Sequence, residues 1–231
     1  MTSIREMIIA RLDPKVRALH DEIEEKLGRH IKYAYDQWRE CPAVAVQFNL
    51  VDLRIHHRDI SSQEVLHELL HAKRYLIDKV PKLVPKVDNP NDSDMMAVLE
   101  NEIEHVAIVP MEADYGYDPY PYWNELCRTR WKKYPWAFSG NVLRTNVMLG
   151  VLNLTRVNDQ VASAYAWDVI RKSPYKSDAE NLFRRIQDFQ NDKPKLGACV
   201  MRFLKIPRND VLLLYNDADR QRQYLVELPL H

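Results

Sequence analysis

The chain has 231 residues, enough to bury a sizeable core in one large domain or in one domain with a modest second lobe. Thirty-three basic residues balance thirty-three acidic ones at a formal net charge of zero, so no global field draws the protein to nucleic acid or to an anionic membrane, and neither partner is expected. Three widely separated cysteines, Cys41, Cys127 and Cys199, exclude a disulfide framework and read as free thiols in a reducing compartment.

The start, MTSIREMIIARLDP, carries an apolar run broken by Arg11 and Asp13, too short and too charged for a signal peptide, and no stretch approaches the roughly 18 apolar residues of a membrane span. The expectation is a cytoplasmic protein. Five glycines against 13 prolines predict long helices punctuated by proline, and neither GxxxxGK[ST] nor GxGxxG is present to cradle a phosphate. The fold class expected is a helix-rich α+β protein.

From Ser3 to about Trp38 the apolar period is helical: Ile4, Ile8, Ile9 and Leu12, then Val16, Leu19, Ile23, Leu27 and Ile31 after Pro14. Pro42 to Leu53 is β-branched and apolar without that period, which predicts one or two strands, and Arg54 to Asp59 is a polar connection. Ser61-x-x-Glu64 is a capping-box signature opening a helix to about Val80, where Pro81 stops it. Lys82 to Ser93 reads as a loop, and a second helix spans about Asp94 to Val109 before Pro110. Ala113 to Trp123, ADYGYDPYPYW, reads as irregular. Helical segments come next at about Asn141–Leu154, Gln160–Arg171 and Asp178–Gln190, with a closing β-hairpin between Val211 and Leu228. A boundary near Tyr134-Pro135 would divide a core at 1–134 from a helical C-terminal region at 135–231.

The helix after Ser61 contains His67-Glu68-Leu69-Leu70-His71. With His67 at zero on a helical wheel, His71 falls near ~40° and Glu68 near ~100°, while Leu66, Leu69, Leu70, Leu76 and Val80 lie between about 180° and 300°. The histidines therefore turn away from the apolar stripe. Two imidazoles one turn apart can share a Zn²⁺ ion, and a glutamate directly after the first can take a proton from water in the open coordination position. About 0.02 chance matches to HExxH are expected in a chain of this composition, so the match is specific.

On these residues the sequence resembles the zincin class of zinc metallopeptidases, and its order of strand, HELLH helix and carboxylate-bearing second helix is similar to the gluzincin branch. The metzincin extension is absent, since Arg74 and Ile77 stand where its glycine and third histidine would be. The chain also bears a loose similarity to bacterial regulatory metallopeptidases of the ImmA/IrrE type. The resemblance covers about Ala43 to Pro110. It implies a zincin-like core, a Zn²⁺ cofactor, a peptide or protein substrate, a possible protein regulator, and a substrate-pairing role for the strand Ala43–Leu50.

His67 and His71 are then metal ligands and Glu68 the general base. The third ligand is sought in Leu99-Glu100-Asn101-Glu102-Ile103-Glu104-His105-Val106, where Glu104 is favoured. Glu100, Glu102 and His105 remain alternatives, with Asn101, Glu100 or His105 as supporting groups. A gluzincin NExxxD alignment would select Glu102, but its aspartate falls on Val106. Tyr115, Tyr117, Tyr120 and Tyr122 are candidate oxyanion donors, and His56 and His57 candidate substrate contacts, although most tyrosines in such a cluster serve packing or the surface and adjacent histidines in a polar loop are usually solvated. The mixed run Cys127 to Tyr134 reads as a solvated basic face. The function expected is zinc-dependent peptide hydrolysis. The alternative is a non-catalytic zinc-binding regulatory or protein-interaction module.

Overall fold

A computed structural model describes residues 3–38, 41–47, 49–57, 59–87, 90–132, 140–217, 220 and 222–229, with backbone alone at 90–92. The architecture is helix-rich α+β: the described residues hold nine α-helices and two three-stranded sheets. By packing, the chain forms two compact units. The first comprises Met1–Lys82, Met111–Tyr117 and Leu214–Leu225; the second comprises Leu83–Pro110, Asp118–Leu213 and Val226–His231.

In the first unit α1 (Ile4–Ile9) opens on a capping box between Ser3 and Glu6. Helix α2 (Pro14–Leu27) starts on Pro14 and stops at Gly28, whose φ of 65° is the left-handed conformation that glycine tolerates best. The stop turns the chain out of the helical path. Residues 31–35, expected to prolong the helix, leave it, and Lys32–Tyr35 form strand β1. Strand β1 lies parallel to β3 (Leu50–Ile55), with Lys32 opposite Asp52 and Tyr35 opposite Ile55. Strand β2 (Ala43–Gln47) pairs antiparallel on the other side of β3, with Val46 opposite Val51. Of the one or two strands expected here two are present, and β3, the centre of the sheet, runs on through Arg54 and Ile55, expected as connection, because both pair with β1. Val51, Leu53 and Ile55 alternate inward along it and are buried.

Helix α3 (Ser62–Leu76) packs on α2 and β2 and drives Leu66, Leu69 and Leu70 into the core. Each such leucine contributes roughly 1.5–3 kcal/mol of burial free energy. The helix ends before the expected Val80, because Lys79 adopts a positive φ of 58° and the N–H of Ile77 and Asp78 both turn onto the Lys73 carbonyl.

Lys82–Pro85, expected as loop, is strand β4. Helix α4 (Pro90–Met111) runs past Pro110, which sits in its last turn and removes only one backbone donor there. A 3-10 helix at Glu112–Tyr115 and then α5 (Tyr120–Lys132) occupy the tyrosine-rich stretch expected to be irregular; the Asp118 carboxylate accepts the Tyr120 N–H at the start of α5. In the second unit α6 (Gly140–Leu154) packs against α5, α7 (Gln160–Lys172), α8 (Lys176–Phe189) and α9 (Lys193–Leu204). Contact with several neighbours explains why α6 buries Val147, Met148, Val151 and Leu152 completely. Helix α9 has no counterpart among the expected elements: the Asp192 carboxylate caps its Lys195 N–H, with Pro194 in the first turn. Strands β5 (Val211–Asp217) and β6 (Arg222–Glu227) close the chain in a sheet of order β4-β5-β6. The boundary expected at Tyr134-Pro135 lies outside the described residues. Among the described residues no helix is long and apolar enough to cross a membrane.

Candidate metal centre

Helix α3 is positioned from its first turn. The Ser61 hydroxyl accepts the Glu64 N–H, and the Glu64 carboxylate accepts the Ser61 N–H at 2.8 Å, so two otherwise unpaired amides are satisfied reciprocally. With the leucine face packed on α2 and β2, the opposite face presents Gln63, His67 and His71, spaced one turn apart. The His67 and His71 rings lie 5.4 Å apart, centre to centre, at 77° to each other. Both are half-buried. Glu68, one position on, is 7% exposed.

Glu112, just beyond α4 in the chain, supplies a contact that the sequence does not show. It is 2% exposed, and its Oε1 lies 2.9 Å from His67 Nδ1. An ionised carboxylate can only accept, so Nδ1 carries the proton and donates, which leaves the lone pair on Nε2. Gln63 donates to the other carboxylate oxygen at 2.8 Å. One imidazole is thereby held in a single tautomer and orientation by a buried carboxylate, itself steadied by a neighbour one turn back on α3. Histidine ligands of metal ions are oriented in this way, and the carboxylate also raises the basicity of the free nitrogen. The donor set on α3 therefore fits a borderline divalent ion such as Zn²⁺.

The candidates on α4 lie in the second unit, and their surroundings there differ. Glu104 is buried, with its Oε1 2.5 Å from the Lys193 ammonium, which is itself buried. Glu100 pairs with the same ammonium through Oε1 and accepts the Leu83 N–H on Oε2 at 2.9 Å. Burial pushes the Glu100 carboxyl above its ordinary range; Lys193 acts against that rise and the Glu104 charge adds to it. Glu102 is bound by the fully buried Arg156, whose Nη1 lies 2.5 Å from Oε2 and whose Nη2 donates to the Glu102 carbonyl. Burial holds that guanidinium below its usual value, with Glu102 opposing the shift. Asn101 is exposed. His105 is buried and packs against Trp123, ring centres 5.0 Å apart.

The Tyr117 hydroxyl donates to the Asp13 carboxylate in the first unit, and Tyr115 is partly buried beside Lys73 and Glu22. Tyr120 and Tyr122 belong to α5, where the Tyr122 ring stands edge-on to Trp123. In the run from Cys127, Cys127 and Trp131 face the core, while Arg128 pairs with Asp159 and Glu125; residues 133 and 134 lie outside the described set. His56 and His57 come directly after β3, their rings 4.0 Å apart. No protein-family model, curated protein or solved structure matches the chain.

Proposed function

We propose that the protein is a zinc-dependent peptidase in which His67 and His71 bind the metal and Glu68 is the general base. The observation that carries the reading is the buried Glu112 carboxylate on His67 Nδ1. A histidine on an ordinary exposed helix face has no need of a desolvated anion that fixes its tautomer, whereas a metal ligand gains both orientation and basicity from one. A third protein ligand is implied by the resemblance to gluzincins alone. Glu104 remains the favoured candidate, with Glu100, Glu102 and His105 as alternatives, and its pairing with Lys193 would have to be given up for it to ligate.

A bound zinc ion would supply polarisation of the scissile carbonyl and acidification of a water molecule. The chain's own residues do the rest. His67 and His71 offer imidazole nitrogens from a rigid helix, Glu112 and Gln63 keep His67 in register, and Glu68 accepts the proton of the attacking water and returns it to the leaving amine. The leucines opposite keep α3 from rotating, so this geometry is set before substrate arrives.

Glu68→Gln tests the assignment: it preserves the ligands and removes the base. Zinc content equal to wild type, with hydrolysis of a peptide library reduced by roughly 10²-fold or more, is the expected result. Undiminished hydrolysis would refute the role of Glu68, and zinc-replete protein with no hydrolysis in the wild type would favour a binding module.

A further inference from the structure

At the N-terminal end of α3, one turn before His67, three further donors converge within the first unit. One donor atom from each of His56, His57 and Glu64 lies within 4.8 Å of the other two. His56 and His57 leave the end of β3 together, and Glu64 is the third residue of α3, so the set joins a strand end to a helix start.

The two oxygens of Glu64 have separate tasks. Oε2 accepts both the N–H and the hydroxyl of Ser61, at 2.8 and 2.7 Å, and closes the capping box. Oε1 is turned toward His57, 3.7 Å from Nε2, too far for a hydrogen bond. His56 Nδ1 is shielded from solvent and has no hydrogen-bond partner among the described residues. A shielded imidazole nitrogen left unsatisfied beside a second imidazole and an unused carboxylate oxygen is costly unless something fills the space.

A cation meets all three demands. We propose that His56, His57 and Glu64 form a second metal site that takes a borderline divalent transition ion of the Zn²⁺ class. Two nitrogens and one oxygen suit such an ion, with water in the fourth position. Donors on a tetrahedral zinc stand about 3.3 Å apart, so closure from the observed separation takes modest rotations of side chains that are part-exposed. Bound there, the ion ties the end of β3 to the first turn of α3 and leaves the Ser61 cap intact. It acts as a brace for the helix that carries HELLH, and it stands whether or not His67 and His71 hold zinc.

The test uses the full chain with His67 and His71 both changed to Gln, so that the HELLH pair cannot contribute, titrated with zinc ion alone after chelation. One bound equivalent and a zinc-dependent rise in melting temperature are expected. Adding Glu64→Gln, which keeps the capping box because glutamine serves that role, should abolish the bound equivalent and the rise while the helical circular dichroism is unchanged. Adding His56→Gln and His57→Gln should do the same. Failure of the starting variant to take up zinc overturns the site, as does uptake that survives either addition.

Discussion

At the scale of the residue, the contact of His67 Nδ1 with Glu112 Oε1, at 2.9 Å, is what sets His67 apart from a histidine on an ordinary helix face. Glu112→Gln keeps the shape and a hydrogen-bonding oxygen but removes the charge behind the imidazole. Competition titration with a zinc chelator should show affinity falling by roughly 10–100-fold with the bound stoichiometry unchanged. Equal affinities would mean that Glu112 merely fills space. HELLH was legible in the sequence because its geometry is local: a spacing of four residues is one helical turn, whatever the rest of the chain does. Glu112 was not, because 45 residues separate it from His67 and nothing in its neighbourhood marks it out. The same holds for the carboxylates of α4. Glu100, Glu102 and Glu104 look alike in sequence, and what distinguishes them is a lysine 93 residues beyond Glu100 and an arginine 54 residues beyond Glu102.

At the scale of the element, most of the helices with an apolar period were legible, whereas α5, opening in a tyrosine- and proline-rich run, and α9, opening on Lys193-Pro194, were missed along with the short strands. Helices α2, α3, α7 and α8 keep a period of 3.6 over three or more turns. Strands β1 and β4 have four residues each, too few for an alternation to declare itself, and their existence depends on strands that pair with them from elsewhere in the chain. The junction after α2 is pinned by Glu24: its carboxylate takes Arg5 from α1 at 2.7 Å, His30 at 2.8 Å and the Ile31 N–H at 2.8 Å just before β1. Burial pushes the Glu24 carboxyl up, but the hydrogen bonds from His30, Ile31 and Arg5 outweigh it and hold it below its ordinary value. A carboxylate depressed in this way stabilises the fold above its unfolded pKa of about 4.3, and the benefit is lost as pH falls through the lower folded value. Glu24→Gln should therefore melt earlier than wild type by a constant margin near neutral pH, and the margin should close as the pH drops below about 4. A margin that persists undiminished into strong acid would show that the anionic form of Glu24 is not what ties α1, α2 and β1 together.

At the scale of the whole molecule, the helix-rich α+β class was legible from composition and period, and zero net charge leaves the function to local chemistry rather than to a long-range field. The division into two compact units, each with segments distant in sequence, was not legible, since it depends on which apolar faces find each other. The HELLH pair itself, His67 and His71, is proposed to hold one metal ion. The most direct measurement is the zinc content, after metal-replete expression and gel filtration, of the full chain with His56 and His57 changed to Gln, so that only the HELLH centre can contribute. One equivalent is expected, lost when His67 and His71 are also replaced; a content below about 0.2 equivalents, or one indifferent to His67 and His71, would refute the HELLH centre.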